Sequence, residues 1–330
     1  MGYSKDVYEE ADKIIRERRN KALREADMRK RTFFISYPEA EKLEQELSST
    51  LSKVTKAMVR GTTDLKTALE KLREENLHTQ EKLKGIYDSA DISENDLEPK
   101  FTCKACEDKG NIDGRMCRCY RQLLKETACD KLNKLSPFKL SDFDTFSLDY
   151  YNNQKASGES ISERERMQKY FEYCKKYAKS FCSSSKNILM RGNTGLGKTH
   201  LSLAVAKVVT EKGYGVVYCS TPEIISEIEK EHFGKSTDNG TLEMLKECDL
   251  LVLDDLGTEF HTSFTKTTAY NLINSRLIHR KPTIISTNLE LEELEELYSG
   301  RLVSRLMGEY VIMNFAGTDI RQIKRLQKYK

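Results

Sequence analysis

A chain of 330 residues is long enough for one large domain with an appendage, or for two small domains. Its 55 Lys and Arg against 52 Asp and Glu leave a net charge of only +3, so no global basic field announces nucleic acid and any such surface must be a local patch. No apolar stretch approaches the length of a membrane span, and charge from Lys5 onward excludes a secretory signal, which points to the cytoplasm, with no membrane partner.

Residues 1–90 read as helix. Val7, Ala11, Ile14, Ile15 and Ala22 recur at helical spacing amid dense charge, followed after Pro38 by Leu43, Leu47, Leu51, Val54 and Met58, and then by Leu65, Leu69, Leu72, Leu77 and Leu83. Stripes this narrow make a small bundle or pack against a partner's helices. Residues 88–100 are polar and acidic and read as a linker, closing a helical region at 1–100.

A cysteine module follows at 101–135. Cys103 and Cys106 form one hook, and after ten intervening residues Cys117 and Cys119 form another. Between them lie the turn-forming pairs Lys109-Gly110 and Asp113-Gly114. Two hooks facing each other across a hairpin supply four thiolates at tetrahedral geometry, the ligand set of structural Zn²⁺. In so small a module, metal binding is much of the folding free energy, on the order of 10 kcal/mol. Cys129 sits in an apparent helix over 123–135 and reads as packing; Asp108 shows no role beyond the turn.

Residues 136–330 form the third region. Residues 138–150 carry aromatics without helical period and read as a lead-in that packs on the domain and walls a base pocket. A helix from Arg164 places Met167, Tyr170, Phe171, Cys174, Tyr177, Ala178 and Phe181 toward a core. After a short apolar strand, Asn187 to Met190, comes Gly192-Asn193-Thr194-Gly195-Leu196-Gly197-Lys198-Thr199-His200, and then an apolar helix lasting to Gly213. Glycines let the backbone turn its N–H groups toward an anion. Lys198 reaches the β/γ-phosphates and the Thr199 hydroxyl ligates Mg²⁺. Strand, glycine loop, helix is the setting in which phosphate sits on a helix N-terminus, so the chain is expected to bind a nucleoside triphosphate.

A second strand, Gly215 to Cys219, and a helix with Ile224, Ile225 and Ile228 precede an apolar strand, Cys248 to Leu253, that ends in Asp254-Asp255. Asp254 is expected to hold Mg²⁺ and Asp255 to polarise the attacking water. A helix over 265–279 leads to a strand from Pro282 that ends in Ser286-Thr287-Asn288, with Asn288 placed for the γ-phosphate or the lytic water. Arg301 and Arg305, one helical turn apart, precede the strand Tyr310 to Asn314 and a basic helix containing Arg321. Alternating strands and helices imply a covered parallel sheet with its ligand at the strand C-termini.

The run Asn187 to Leu201, the run Leu251-Val-Leu-Asp-Asp-Leu-Gly-Thr-Glu259 and Ser286-Thr-Asn288 together resemble the AAA+ ATPases of the DnaC/DnaI/IstB group, and with the cysteine region the chain is most similar to replicative helicase loaders. The resemblance covers about residues 100–330. It implies an α/β fold, an AAA+ P-loop NTPase with a five-stranded parallel sheet, and little or no C-terminal lid, since about fifteen residues follow the last strand. By it Asn288 is the sensor 1 residue, Arg305 beside Arg301 is the arginine finger acting on a neighbouring subunit, and Arg321 is sensor 2. The Asp-Asp pair departs from the Asp-Glu of many relatives, which implies slow or partner-dependent hydrolysis.

The implied activity is ATP-dependent loading of a hexameric replicative DNA helicase onto single-stranded DNA by a spiral self-assembly, with ATP, Mg²⁺ and Zn²⁺ as cofactors. Lys230, His232, Phe233 and Lys235 are the candidate contacts to single-stranded DNA, because cation plus aromatic suits an unpaired strand. Two alternatives stand beside it: a transposition ATPase of the IstB kind, and a nucleotide-gated scaffold that does not hydrolyse ATP.

Overall fold

The structure, a computed structural model, describes residues 4–50, 65–134, 141–155, 158, 160–234, 240–260 and 262–328. Leu51, Val54, Met58, Phe138 and Lys235 lie outside the described residues. The chain divides into two compact units, one of residues 12–120 and one of residues 121–330 together with 1–11.

The unit of residues 12–120 holds most of α1 (Lys5–Ser36), then α2 (Pro38–Ser48), α3 (Leu65–Ser89) and α4 (Glu94–Leu97). Phe33, Ala40, Leu83, Tyr87 and Leu97 form its small apolar cluster, with Leu43 and Leu47 packed against them. The stretch that read as a linker thus contributes to the core: Ser93 and Asp96 form a capping box, and the turn it starts buries Leu97. Leu77, expected in the stripe, is 51% exposed. The charged sequence hid the burial of Leu97, because it packs in a cluster with Phe33 of α1 and Tyr87 of α3. The same unit contains a hairpin, β1 (Asn111–Ile112) and β2 (Arg115–Met116), paired antiparallel with Ile112 opposite Arg115. Its two-residue turn is Asp113-Gly114 with φ +49° and +76°, the left-handed pair that matches strand twist.

The other unit holds most of α5 (Arg118–Lys134) and α6 (Glu163–Lys179), whose start is fixed by a Ser162/Glu165 capping box. There follow β3 (Asn187–Arg191), α7 (Lys198–Glu211), β4 (Val216–Ser220), α8 (Thr221–His232), α9 (Thr241–Glu247), β5 (Leu250–Asp254), α10 (Ser263–Ile278), β6 (Thr283–Thr287), α11 (Leu291–Leu297), α12 (Gly300–Glu309), β7 (Tyr310–Asn314) and α13 (Ile320–Lys328). The strands run β4-β5-β6-β3-β7, all parallel, as the alternation of elements implied. Every residue of β5 and β6 is buried, so both faces of the sheet centre are covered. Met167, Cys174, Tyr177, Ala178 and Phe181 of the α6 region join that core, as their spacing predicted.

Two polar devices complete this unit. The edge strand β4 is closed by a side chain: Asn133 Nδ2 donates to Val216 O (2.8 Å) and Tyr218 N donates to Asn133 Oδ1 (2.9 Å). One amide thereby replaces a neighbouring strand. The second device is Arg276, 1% exposed. Its Nη1 donates to the carbonyls of Leu245 (2.6 Å), Lys246 (3.2 Å) and Cys248 (3.1 Å), its Nη2 to Pro282 O (2.6 Å) and its Nε to Thr283 Oγ1 (2.9 Å). A cation thus satisfies the carbonyls at the end of α9 and ties them to the start of β6. Arg276→Met is expected to lower unfolding free energy by about 3 kcal/mol, because those acceptors stay buried without a donor. Denaturant unfolding checks this; a loss below about 1 kcal/mol would contradict it.

Candidate functional site

Three adjacent strands deliver the polar residues of one cleft. β3 runs into the glycine loop, β5 ends at Asp254, and β6 leads to Asn288. The loop needs glycine at defined points. Gly197 caps α7 with φ +89°, and a Cβ there would lie 2.9 Å from the Tyr151 hydroxyl; a Cβ on Gly195 (φ +73°) would overlap the Asp319 carboxylate. Because Gly197 has no side chain to cap α7, the first N–H groups of the helix are left for an anion.

Lys198 is buried and donates to Gly192 O (2.5 Å), Asn193 O (2.7 Å) and Asn288 Oδ1 (2.8 Å). Burial holds its ammonium down at about 8, against the opposing pull of Asp255 and Asp254. Asn288 Nδ2 in turn donates to Asp255 Oδ1 (3.2 Å). Asp255 sits at φ +56°, a left-handed conformation that Asp tolerates, with its N–H on Ser286 Oγ (3.1 Å). Burial and the neighbouring Asp254 raise its carboxyl above the usual range, which suits a group that accepts a proton. Thr199 Oγ1 donates to Asp254 Oδ2 (2.9 Å). This hydroxyl and carboxylate are hard oxygen donors side by side, and the set fits Mg²⁺.

The cleft has a volume of 320 Å³, and Thr194 to His200, Asp255, Asn288 and Arg321 line it. Its other wall is aromatic: Thr145, Phe146, Ser147 and Tyr150 of the lead-in segment face it. Phe146 stacks on Phe171 and on Tyr151, and the Tyr151 hydroxyl donates to Leu196 O (2.9 Å). His200, two residues into α7, bonds Asp142 O (2.9 Å) and Thr145 Oγ1 (3.1 Å), so it holds that wall to the helix. Arg321 reaches the cleft from α13, which is attached to the loop by Ile320 N–H on Gly195 O (3.0 Å). Arg305 does not come to this cleft. With Arg301, Tyr270 and Ser304 it lines a separate depression.

Of the residues named from the sequence, the glycine loop, Asp255, Asn288 and Arg321 line the cleft and Asp254 lies behind Thr199, with Arg321 named through the family resemblance rather than by spacing. Sequence reasoning missed Tyr218, whose hydroxyl donates to Asp254 Oδ2, and Lys324, which lines the cleft and lies over the Tyr150 ring at 5.1 Å. Neither residue belongs to a local motif. Ser286, which donates to Asp254 Oδ1, did carry a signal as the first of the polar triplet closing an apolar strand.

With this geometry in view, residues 172–322 match a family described as IstB-like ATP binding protein. Over these residues the chain has an AAA+ fold and is similar to the ATPases of the DnaC/DnaI/IstB group. Among its relatives, the replicative helicase loader DnaC of Buchnera aphidicola subsp. Schizaphis graminum is 23% identical over 170 residues, 51% of this chain and 69% of that protein. The DnaC of Escherichia coli K12 is 26% identical over 134 residues, 40% of this chain and 54% of that protein. A crystal structure of the DnaC helicase loader aligns with 22% identity and a TM-score of 0.44, over 53% of this chain and 98% of that one. Among the described residues, no helix is long and apolar enough to cross a membrane.

The cysteine cluster lies outside the AAA+ domain and assembles as its spacing predicted. The ligand sulfurs of Cys103, Cys106, Cys117 and Cys119 all lie within 4.8 Å of one another, with Cys103 to Cys117 at 3.9 Å and Cys106 to Cys119 at 3.4 Å. A Zn–S bond of about 2.3 Å at the tetrahedral angle separates sulfurs by about 3.8 Å. Hydrogen bonding from the Cys106 amide and the Cys119 thiol holds Cys103 down at about 7, while burial and the neighbouring thiols push Cys119 up. Four thiolates this close need a cation, so the donor set fits Zn²⁺. Cys129 is not in the cluster; its sulfur packs beside Gly215. Asp108 has a role the sequence hid: its buried carboxylate accepts from Thr102 N (2.8 Å) and Cys103 N (2.9 Å) and so shapes the first hook.

Purified protein is expected to carry one zinc per chain by elemental analysis, and Asp108→Asn to weaken zinc about tenfold in a chelator competition. Equal affinity would remove Asp108 from the site. Because the Lys198 ammonium is present below about pH 8 and lost above it, affinity for a fluorescent ATP analogue is expected to fall about tenfold from about pH 7 to about pH 9. A flat profile would show that Lys198 does not meet phosphate.

Proposed function

We propose that the chain is an ATP-dependent loader of a hexameric replicative DNA helicase. The observation that carries the reading is that Lys198, Thr199, Asp255 and Asn288 line one cleft with Asp254 bonded to Thr199 behind it, in a domain whose relatives include the DnaC helicase loaders. ATP would lie along the loop from Gly192 to Thr199, with its phosphates on the N–H groups of α7 and on Lys198. Mg²⁺ held by Thr199 and Asp254 would neutralise phosphate charge. Asp255 accepts the proton of the attacking water, Asn288 orients that water, and Arg321 reads the phosphates from α13. Tyr150 and Phe146 offer flat faces to the base.

Arg305 fits a different task. Its depression lies apart from the cleft of its own chain, which suits a cation presented to the nucleotide of an adjoining subunit in a spiral assembly. The trigger is then the γ-phosphate, and hydrolysis releases the loader. The region of residues 1–100 would hold the helicase, residues 101–135 would form the zinc module, and residues 136–330 the ATPase domain. Single-stranded DNA would follow the surface where His232, Phe233 and Phe264 cluster, with ring centroids 5.0 to 5.7 Å apart, beside Lys230. Phe233 is 60% exposed and sits in an aromatic cluster, which leaves its ring open for a base to stack on.

The IstB-like family match over 172–322 favours one second reading, in which the same ATPase serves a transposase on duplex DNA. Native mass measurement of the protein mixed with a replicative helicase or a transposase, with and without ATP, separates the two. The loader reading expects an ATP-dependent helicase complex that Lys198→Ala abolishes and that Asp255→Ala forms but does not release. A complex with transposase alone would overturn it, and unimpaired release by Asp255→Ala would favour a scaffold that does not turn over ATP. Phe233→Ala is expected to weaken single-stranded DNA binding by about 1–3 kcal/mol. Lys230→Ala is expected to reduce the salt slope by about 1.

A further inference from the structure

Asp254 is a buried carboxylate held from several directions. It is 1% exposed, and hydroxyl groups bond both of its oxygens. Oδ2 accepts from Thr199 Oγ1 at 2.9 Å and from the Tyr218 hydroxyl; Oδ1 accepts from Ser286 Oγ. Its own carbonyl accepts from Thr221 Oγ1 at 2.9 Å, which fixes the backbone at the same point.

The sheet explains this convergence. In the β4–β5 ladder Ser220 stands opposite Asp254 and Tyr218 opposite Val252, so Tyr218 lies two positions away along the neighbouring strand, on the same face as Asp254. On the other side, Leu253 stands opposite Ile285, so Ser286 is the next residue along β6. Each flanking strand therefore delivers one hydroxyl to one oxygen of the central carboxylate. Tyr218 and Ser286 are themselves buried, and burial together with the adjacent carboxylate keeps the phenol protonated as a donor. A carboxylate has about four lone-pair sites. Donors on both oxygens stop its rotation and leave the remaining sites pointing in fixed directions.

We propose that Tyr218 and Ser286 are positioning residues that clamp the Asp254 carboxylate from the two neighbouring strands, so that its Thr199-facing oxygen is presented in a fixed orientation to the divalent cation of a bound nucleoside triphosphate. The clamp rests on reading this cleft as a magnesium–nucleotide site. Its chemical consequence is cation choice. Mg²⁺ demands near-ideal octahedral geometry, whereas Ca²⁺ accepts irregular shells, so a carboxylate with one allowed orientation favours Mg²⁺ and a freely turning one does not. Partners of this kind typically change metal affinity by about 10–100-fold when removed.

The test is binding of a fluorescent ATP analogue to the full chain, titrated with Mg²⁺ or Ca²⁺ from an EDTA baseline. Tyr218→Phe keeps the ring and removes only the hydroxyl; Ser286→Ala removes the donor to the other oxygen. In each variant the half-saturating Mg²⁺ is expected to rise about tenfold while the Ca²⁺ value moves less, with metal-free nucleotide affinity within about twofold of the parent. A purely structural role would lower melting temperature without changing the Mg²⁺/Ca²⁺ ratio, and parental Mg²⁺ midpoints in both variants overturn the clamp. If Tyr218→Phe has no folded transition, Ser286→Ala decides by the same criterion. A parent protein that binds the analogue identically with and without Mg²⁺ overturns the magnesium–nucleotide reading itself, and the clamp falls with it.

Discussion

The AAA+ domain depends on how it tolerates opposite charges at the buried end of a sheet. Lys198 opens α7 just beyond β3, and Asp254 closes β5 with Asp255 following it, at the end of the sheet where an isolated buried charge would be expensive. Each is made bearable by neutral polar groups rather than by a direct ion pair. Loop carbonyls and the Asn288 oxygen take the ammonium, the same Asn288 gives its amide hydrogens to Asp255, and hydroxyls surround Asp254. Asn288 is thus a neutral spacer between a cation and an anion. Charges insulated in this way stay available to a ligand, whereas a closed salt bridge would have to be broken first.

The supporting structure around the sheet likewise satisfies its polar groups, mostly with neutral partners and at one edge with an ion pair. Arg276 binds carbonyls at the end of α9, and Asn133 completes the ladder of β4. Lys125 and Asp249 pair beside that edge, and Asp249 Oδ2 also accepts from Gly215 N at 2.9 Å. These contacts hold the strands in register, and register is what aligns Tyr218, Asp254 and Ser286 along one row.

What the sequence made legible was local. The glycine loop, the paired aspartates after an apolar run, the polar triplet at 286–288 and the two cysteine hooks are short spacings whose chemistry is contained in a few residues, and the structure places each as its spacing implied. The all-parallel sheet followed from alternation of elements, whereas the strand order did not. Long-range contacts left no such trace. A buried arginine at 276 reads as an ordinary helix charge, and Tyr218 reads as one more β-forming aromatic. Asp108 looks like a turn residue until its oxygens are seen on two amides of the preceding hook. The acidic stretch before the hooks looked like linker because its apolar residues Ala90, Ile92 and Leu97 are scattered among charges, and their packing involves a cluster that includes Phe33 and Tyr87.

The attachment of α13 to the glycine loop has a mechanical consequence. Ile320 N–H holds the carbonyl of Gly195, and the Asp319 carboxylate rests where a larger residue at 195 would sit. Helix and loop therefore share one joint at the rim of the cleft. Tension applied along that helix is transmitted to the cradle without passing through the hydrophobic interior, so a pull at one terminus of the domain can pry at the seat of its ligand.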